Sequence, residues 1–415
     1  MPGGPSGSGG RRRRKMLNII YILNGDWETD HRRPQMEAMA VNCNLICIER
    51  PLTIRAVFMG PRAFFTQFKS SLRPRHLGKN LNIFKPVALL PYAVAEKFSV
   101  LRIINTVILR KFFIPAIQPY LNGSQVLMLA HPMQRHFISL LNTKLLCYEI
   151  TDAYDKITQF SDRENEMIRR FEKTVLSEAD IVLTSARTLQ DEKRRYNKNT
   201  FFIPNGADVE FFSGSLRPDV EVPEDLSEIP SPRIGLIGHI TENVDLGIIR
   251  AMAEKHPQWS IVMIGGIKGN RRFRNDVALA GVKKMKNVHF LGLKPYESLP
   301  AYQKGIDVLL LPYKLNEFNQ YVYPNKLHQY LAGGKPVVST DLPEVRPYSG
   351  VISIAKSGEE FMEMVREALR VENNDSARVA ERLHVAGENT VGVRAGQRID
   401  ILKKALHGKS VVGES

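Results

Sequence analysis

Short, continuously apolar runs alternate with amphipathic stretches along this sequence of 415 residues. Runs of this kind are typical of parallel strands, which are buried on both faces, and the stretches between them are typical of covering helices. The alternation stops once, in a polar and proline-rich stretch at 213–232, and then begins again. The pattern therefore predicts an α/β chain with two Rossmann-like, doubly wound parallel sheets that face each other across a cleft.

The expected strands are short and fall on either side of this polar stretch. They lie at 17–23, 43–49, 125–130, 145–150 and 180–185, and then at 233–239, 259–266, 288–292, 307–313, 335–340 and 351–355. The predicted divisions are a disordered basic tail at 1–15, a first domain at 16–212, a linker at 213–232, a second domain at 233–392, and a terminal helix within 393–415 that packs back toward the first domain.

The net charge of +15 is concentrated in one part of the chain. Residues 50–120 hold twelve lysines and arginines against one acid, Glu96, and eight phenylalanines lie among them. Cationic side chains between large apolar ones suit a surface that lies on anionic lipid headgroups, although a solvated basic face over an ordinary core is the alternative. Because no nucleic-acid motif is present, we expect a membrane surface or a lipid-linked substrate rather than nucleic acid.

The cysteines and the hydropathy pattern predict a protein that stays inside the cell. Cys43, Cys47 and Cys147 lie in apolar, strand-like runs without a zinc pattern, which predicts buried, reduced thiols and no metal site. The apolar stretch at 98–116 is interrupted by three basic residues, so we do not expect a membrane-spanning helix there. No secretory signal is visible. The expected location is therefore cytoplasmic, peripheral to the inner face of the cell membrane.

The stretch PNKLHQYLAGGKPVV at 324–338 predicts a short helix before a buried strand. Pro324 suits the first helical position, and the glycine pair after the helix suits a left-handed cap. Lys326 and Gln329 lie three residues apart on one face. A helix N-terminus attracts anions and a lysine in its first turn adds to that attraction, so the pattern predicts an anion site. A surface lysine on an amphipathic helix is the alternative.

Four segments taken together resemble GT-B glycosyltransferases, nearest to the family-4-type (glycosyltransferase group 1) enzymes that build bacterial surface polysaccharides. Within about 171–370 these segments are EKTVLSEADIVLTSARTLQDE, IPNGADVEFF, NVHFLGLKPYESLPAYQKGIDVLLLPY and PNKLHQYLAGGKPVVSTDLPEV. The resemblance implies that the first domain binds an acceptor and the second a nucleotide-sugar donor. The implied activity is transfer of a sugar from a nucleotide diphosphate, UDP above all, to a lipid-linked or growing glycan.

Under this resemblance the anion at 324–338 is the diphosphate of the donor. Lys326 and the backbone N–H groups around Tyr323 and Asn325 would hold the phosphates. The departing nucleoside diphosphate gains charge as the glycosidic bond breaks, so a fixed cation stabilises the transition state more than the ground state. On this view no divalent metal and no cofactor are needed, and no DXD-type carboxylate pair is placed to bind a metal.

The pair of glutamates that the family carries eight residues apart is altered in this chain. Gln329 stands at the second position and Tyr321 at the first. The Gln329 amide is still able to hydrogen-bond a ribose hydroxyl. Glu317, four residues before Tyr321, replaces the missing carboxylate only if the loop folds to bring it in. The departure leaves open whether the enzyme retains or inverts the configuration of the sugar.

Other donor-side candidates follow the strands of the second domain. Gly238 permits close approach of the backbone to an anion, and His239 is either a phosphate contact or an ordinary turn residue. Lys268 and Arg271 lie beyond the strand at 259–266, where they either pair with the phosphates or are solvated. Leu293 and Tyr296 lie beyond the strand at 288–292, where they either hold the nucleobase or pack in the core.

Two residues at strand ends of the first domain are candidates for the chemistry of transfer. In an inverting enzyme Asp152 takes the proton of the acceptor hydroxyl. In a retaining enzyme the departing phosphate accepts that proton, and Asp152 or His131 positions sugar hydroxyls. A turn aspartate and a structural histidine are the alternatives. Candidates on the acceptor side of the cleft are Asn24, Gly25, Asp26, Arg32 and Arg33.

Two other functions are compatible with the sequence. A GT-B-fold epimerase that acts on a nucleotide sugar has little use for the basic, aromatic stretch at 50–120. A catalytically silent nucleotide-sugar-binding or scaffold protein is favoured by the altered glutamate pair and disfavoured by Lys326 and Asp152. A dehydrogenase is disfavoured because no G-x-G-x-x-G follows the first strand of either domain.

Overall fold

The computed structural model describes residues 16–30, 32–53, 73–90, 92–95, 98–121, 123, 125–157, 160–269, 271–371 and 375–408. The predicted tail at 1–15, and residues 54–72 of the basic stretch, lie outside them. Within the described ranges two large sheets have packed cores on both faces. This arrangement confirms the predicted fold class.

The first sheet contains the strands β1 (Leu17–Ile22), β2 (Cys43–Ile48), β4 (Arg75–His76), β5 (Leu81–Phe84), β7 (Val126–Leu129), β8 (Leu145–Ile150), β9 (Ile181–Thr184) and β10 (Thr200–Phe202). Their spatial order is β10-β9-β8-β7-β1-β2-β5-β4, and only β4 is antiparallel to its neighbour among these described strands. A parallel pair, β3 (Leu52–Thr53) and β6 (Val87–Ala88), lies beyond the carboxyl ends of β2 and β5. The sheet is thus a doubly wound one.

The second sheet contains the strands β11 (Arg233–Ile237), β12 (Ser260–Ile264), β13 (Val288–Gly292), β14 (Val308–Leu311), β15 (Val337–Thr340) and β16 (Ser353–Ala355). Their order is β13-β12-β11-β14-β15-β16, and every described pair is parallel. This is the strand order of a dinucleotide-binding Rossmann fold, so both halves are doubly wound.

The described helices of the first half are α1 (Arg33–Ala40), α2 (Tyr92–Ala95), α3 (Ser99–Ile108), α4 (Ile114–Ile117), α5 (Asp162–Glu178) and α6 (Arg187–Lys193), with a π-helical turn at Leu109–Phe113. Those that follow are α7 (Val209–Ser213), α8 (Glu224–Ser227), α9 (Leu246–Lys255), α10 (Arg271–Arg274), α11 (Val277–Lys283), α12 (Leu299–Lys304), α13 (Lys326–Ala332), α14 (Gly358–Val371), α15 (Ser376–Glu388) and α16 (Val391–Leu406). No described helix is long and apolar enough to cross a membrane.

Alternate residues of each strand fill separate cores on the two faces of its sheet. In β1, Ile19 and Tyr21 belong to one core, whereas Ile20 and Ile22 belong to the other. This division follows from the two-residue period of a strand, which points successive side chains to opposite faces. The three cysteines are buried and free, which confirms the predicted thiols.

Helix α16 returns from the second half to the first. Its Ala395, Ile399 and Leu402 are buried in the core that also contains Met36 of α1. Thr390 caps the helix, because its Oγ1 accepts a hydrogen bond of 3.1 Å from the N–H of Val393. The helix thereby completes one face of the first sheet.

The stretch predicted as a linker, 213–232, is folded against the second half. Leu226 and Ile229 are buried in a core of the second sheet. The ammonium group of Lys304 donates hydrogen bonds to the backbone carbonyls of Arg217 at 2.6 Å and Val220 at 2.7 Å. Although its composition is polar overall, this stretch is therefore held on the second half by a few buried apolar residues.

Candidate functional site

The strand order reverses between β1 and β7 in the first sheet and between β11 and β14 in the second. Such switch points open a crevice at the carboxyl ends of the strands. Residues 24–26 follow β1 and His131 lies just beyond β7, while Gly238 and His239 follow β11. These predicted residues therefore lie at the two places where the topology provides a crevice.

A cleft of about 500 Å³ lies between the two halves. One wall is formed by residues 28–30, 32–35 and 37 of the first half, and the other by residues 205–208 together with loops and α13 of the second. The predicted site residues that line it are Arg32, Arg33, His239, Tyr296, Asn325 and Gln329. The cleft thus brings acceptor-side and donor-side candidates together.

The side chain of Lys326 packs against the loop that follows β11. A Cβ atom added to Gly238 would come within 2.0 Å of Lys326 Cε, so the lysine stem packs directly on the glycine backbone. Its Nζ lies 3.4 Å from Tyr313 Oη and 5.8 Å from the centre of the Tyr313 ring. Among the described residues no carboxylate forms an ion pair with Lys326. The ammonium charge is therefore held at the switch point without an internal counter-charge.

The helix that carries Lys326 begins at Lys326 itself, with Asn325 as N-cap, so the prediction that Pro324 is its first residue is wrong. The Asn325 side chain does not cap the helix; its Oδ1 instead accepts a hydrogen bond of 2.5 Å from Asn205 Nδ2. The first N–H groups of α13 have no side-chain cap. Gly334 adopts the expected left-handed conformation, with φ of 67°.

Tyr323 lies behind the loop rather than in the cleft. The side chain is buried, and its Oη hydrogen-bonds His328 Nε2 at 2.5 Å and Tyr348 Oη at 2.7 Å. Burial raises the pKa of Tyr323 well above its usual value, so it stays a neutral phenol. The side chain therefore supports the loop from within, and the predicted phosphate contact of this residue concerns its backbone N–H alone.

Glu317 does not take the place of the missing glutamate. Its carboxylate pairs with Lys156 of the first half at 2.6 Å and is exposed. Lys156 also lies 5.0 Å from the centre of the Tyr321 ring. The loop between β14 and α13 therefore rests on the first half, and this contact draws Glu317 away from the cleft.

Five other donor-side candidates lie outside the cleft lining: Gly238 and Lys326, which pack on each other, and Lys268, Arg271 and Leu293. Leu293 is exposed, and so are Lys268 and Arg271. Lys268 is close enough to His239 to affect its ionisation. Partial burial, and then the charges of Lys268 and Lys326, lower the pKa of His239. His239 is therefore a neutral imidazole without a fixed charge, and its ring N–H donates to the backbone of Gly266.

Tyr296 forms an aromatic wall with a residue that the sequence analysis did not single out. Its ring stacks on Phe211, with centroids 4.7 Å apart and planes inclined by 5°. The Tyr296 side chain remains partly exposed at the cleft. A flat aromatic face of this kind is suited to stacking against a nucleobase. Phe211 belongs to the segment IPNGADVEFF, which was the available signal.

On the acceptor side, Arg32 is part of a buried network. Its Nε and Nη2 donate to Asp30 Oδ1 and Oδ2 at 2.9 and 2.7 Å, and its Nη1 donates to Tyr21 Oη at 3.2 Å. Tyr21 donates in turn to Glu149, and Arg398 of α16 donates to Glu149 Oε1 at 2.9 Å. The network fixes Arg32 at the cleft wall.

The other acceptor-side cations and acids are also paired. Arg33 contacts Glu37 at 2.9 Å and Glu28 at 3.4 Å at the surface of the cleft. Asp26 pairs with Lys85 at 2.7 Å and does not line the cleft. Asn24 and Gly25 lie on the same loop, also outside the cleft lining. Of these residues, Arg33 is the one placed to meet a ligand.

His131 and Asp152 flank Tyr154, outside the lining of the cleft. His131 Nδ1 accepts a hydrogen bond of 3.2 Å from the N–H of Met133, so the neutral ring carries its proton on Nε2. Its ring lies 4.6 Å from that of Tyr154. Asp152 Oδ2 accepts from Thr151 Oγ1 at 3.1 Å. The two candidates share one neighbourhood at the carboxyl ends of β7 and β8.

Three histidines, of which His328 is buried and His131 and His136 are half-buried, predict a steep loss of stability in mild acid. Burial lowers the pKa of His131 and His136 to about 4, and that of His328 to about 3. Below pH 6.5 these three histidines are protonated in the unfolded chain but stay neutral in the folded chain. We therefore expect uptake of about three protons on unfolding at pH 5.5, with the unfolding free energy falling by about 4 kcal/mol per pH unit.

Denaturant titrations between pH 7.5 and 5 would measure this slope. His131→Gln should reduce the uptake by about one proton, because it removes one of the three groups. His384→Gln is the control, since that side chain is exposed. A slope corresponding to less than one proton would contradict the assignment of three neutral rings.

Comparison with known proteins agrees with this geometry. Residues 231–386 match the family model of Glycosyl transferases group 1. A relative in Bacillus subtilis (strain 168), named as a teichuronic acid biosynthesis glycosyltransferase, TuaH, is 29% identical over 224 residues. The match covers 51% of this chain and 55% of that protein, so the chain spans about half the length of this curated relative.

Solved structures resemble the whole chain. Sucrose-phosphate synthase from Thermosynechococcus elongatus superimposes with a TM-score of 0.67 and 14% identity, covering 95% of this chain and 100% of that one. Anabaena HepE in complex with UDP and glucose gives a TM-score of 0.63 and 12% identity, covering 93% and 99%. Likeness at these identities concerns the fold alone. The chain is a GT-B-fold protein, and its second half resembles the group 1 glycosyl transferases.

Proposed function

We propose that this protein is a glycosyltransferase that moves a sugar from a nucleotide diphosphate sugar to a growing glycan. The observation that carries the proposal is Lys326, a cation without a carboxylate partner among the described residues, packed on Gly238 at the switch point of the second sheet. The family match at 231–386 and the role of TuaH in teichuronic acid biosynthesis, as its name gives it, support the same activity.

The chemistry follows from where charge develops. As the bond between sugar and phosphate breaks, negative charge collects on the leaving diphosphate. Lys326 Nζ provides a preorganised cation beside the loop after β11. The N–H of Lys326 at the start of α13 has no side-chain cap and adds a further donor, whereas the N–H of Leu327 already donates to the carbonyl of Pro324. Together these groups favour departure of the diphosphate.

The aromatic pair of Tyr296 and Phe211 provides a stacking surface for the base of the donor. Gln329 lines the same cleft and offers an amide to a ribose hydroxyl. We propose uracil as the base and UDP as the nucleotide of the donor, and the complex of Anabaena HepE with UDP and glucose supports this by analogy of fold. Donor binding thus uses residues of the second half.

His131 is proposed to position the sugar and Asp152 to accept a proton. A histidine whose pKa is about 4 is a poor base near neutral pH. Its Nε2–H is suited to donating a hydrogen bond to a sugar hydroxyl. Asp152 is half-buried and accepts one hydrogen bond from Thr151, so it keeps acceptor capacity for the hydroxyl that attacks.

We further propose that the acceptor is lipid-linked and that the protein works at the cytoplasmic face of the cell membrane. The support is the excess of positive charge at 50–120. Arg73 and Lys79 are exposed within this stretch. Arg75 is different, because it pairs with Glu28 at 3.0 Å and Glu49 at 2.8 Å. Its role is to brace the acceptor wall rather than to meet lipid.

Calorimetry with UDP-, GDP- and ADP-sugars tests the donor site. One donor is expected to bind, and Lys326→Ala should weaken it by about tenfold or more, as loss of a charged hydrogen bond does. Lys356→Ala, an exposed lysine of the same half, should bind as wild type does. Absence of binding by every donor, or equal binding by Lys326→Ala, would remove the basis of the proposal.

A further inference from the structure

Helix α3 and the π-helical turn after it, residues 98–113, present apolar side chains to solvent and a polar one to the core. Asn105 is buried, where its Oδ1 accepts from the N–H of Leu89 at 2.8 Å and its Nδ2 donates to the carbonyl of Leu90 at 2.9 Å. The outward face carries Val100, 67% exposed, and Ile103, 58% exposed. This is the reverse of an ordinary surface helix.

The exposed apolar residues form one stripe rather than scattered positions. Val100, Ile103, Ile104 and Val107 follow the spacing i, i+3, i+4 and i+7, which places them on one helix face. Phe98 and Phe112, 57% and 64% exposed, stand at either end of the segment. A contiguous exposed stripe of this kind marks an interaction surface.

Basic residues border the stripe. The π-helical turn buries Leu109 and Phe113 while it leaves Arg110 and Lys111 exposed between them. No carboxylate among the described residues pairs with either cation. An apolar stripe with cations beside it complements a surface that is apolar below and anionic above, which is the interface of an anionic bilayer.

The segment lies at the same edge of the first sheet as the cleft. Asn105 bonds the chain that follows β6, and β6 pairs with β3 beyond the carboxyl ends of β2 and β5. At this edge Lys85, next to β5, contacts Asp26, which follows β1. The stripe and the acceptor wall are therefore built on neighbouring strand ends.

We infer that residues 98–113 dock the protein on an anionic bilayer, with the apolar stripe among the acyl-chain ends and Arg110 and Lys111 on lipid phosphates. The inference rests on the proposed function for its biological setting and names the surface that meets the membrane. The helix lies in the interface, because ten residues of α3 are too few to cross the bilayer. A lipid-linked acceptor in the same bilayer then lies beside the acceptor wall.

Flotation of the full chain with vesicles of phosphatidylcholine and phosphatidylglycerol tests this surface. Wild type should float with these vesicles at physiological salt and stay unbound with phosphatidylcholine alone. Arg110→Glu with Lys111→Glu should lower the partition coefficient by about 25-fold or more, since each cation near an anionic surface contributes about fivefold. Ile103→Asp should lower it by about tenfold or more.

Control variants use exposed residues of the second half. Lys284→Glu with Lys286→Glu, and Val277→Asp at a position 86% exposed, should float as wild type does. Hydrogen exchange of residues 98–113 should slow when anionic vesicles are added. Unchanged exchange, or equal flotation of Ile103→Asp, would overturn the inference.

A second copy of the chain is the other occupant that such a stripe suits. A lipid-free dimer in sedimentation, dissociated by Ile103→Asp, would overturn the membrane assignment in favour of that copy. Vesicle binding needs no donor, whereas calorimetry of nucleotide sugars needs no vesicle. Failure of flotation with intact donor binding would therefore refute the docking surface alone, and the converse would refute the proposed activity alone.

Discussion

Replacing Gly238 by alanine is expected to weaken nucleotide-sugar binding by at least as much as Lys326→Ala. The added Cβ would lie 2.0 Å from Lys326 Cε, far inside van der Waals contact, so the lysine stem must leave its place. Gly238 also has a φ of 135°, a backbone conformation that strains an alanine by about 1–3 kcal/mol. Both effects act on the loop that holds the phosphate cation, so we expect a loss of affinity of about a hundredfold.

The matched control for this loop is Gly266→Ala. Its Cβ would meet His239 Nδ1 at 3.7 Å, an ordinary contact, and its backbone is not in the left-handed region. We expect its affinity to stay within about twofold of wild type, because no group of the site has to move. Calorimetry gives the affinities, and thermal melting checks that each variant is folded. A folded Gly238→Ala that binds donor normally would refute the assigned position of Lys326.

Replacing Arg398 by methionine is expected to cost about 3–5 kcal/mol of unfolding free energy, because it leaves the Glu149 carboxylate buried without its partner. Although burial raises the pKa of Glu149, the guanidinium groups of Arg398 and Arg32 lower it below its usual value. The carboxylate therefore stabilises the fold above its unfolded pKa and loses that contribution as the pH falls through the lower, folded value. Urea titrations at pH 7.5 measure the cost.

Two further variants separate the ion pair from simple loss of packing. Adding Glu149→Gln to Arg398→Met should recover part of the loss, because the buried charge is then removed. Arg370→Met breaks a surface pair with Glu367 and should change stability little. If Arg398→Met proved no more harmful than Arg370→Met, the network would not be what joins α16 to the first half.

The fold was predictable because its signals are local. Each long strand of both sheets is a run of largely apolar residues, such as NIIYI in β1 and VLLL in β14. Strands β3 to β6 and β10 were not predicted as strands; β3, β4 and β6 have only two residues each, which are too few for a pattern to emerge. The packing of 213–232 on the second half was also not predicted. The stretch is polar overall, and only two of its apolar residues, Leu226 and Ile229, are buried in that core.

The site was predictable where one helix or one turn determined it. Gln329 and His239, predicted from the short patterns around them, line the cleft, whereas Lys326, Tyr323 and Glu317 lie outside its lining. The loop that carries Tyr323 and Glu317 takes its shape from Lys156 in the other half, which no local pattern reveals. Glu149 and Arg398 lie 249 residues apart in the sequence, so no local pattern could predict that they pair. The remaining signal was an acid inside the apolar strand LLCYEI, which required a partner.

The return of α16 to the first sheet has a consequence for synthesis on the ribosome. Domains near the N-terminus usually fold first, as they emerge. Here the core that contains Met36 and Met39 is closed by Ile399 and Leu402, which are translated only after the whole second half. Until then one apolar face of the nascent first half stays open, and it is a surface that chaperones bind. The first half is therefore translated first, but its folding is completed only after the second half has been translated.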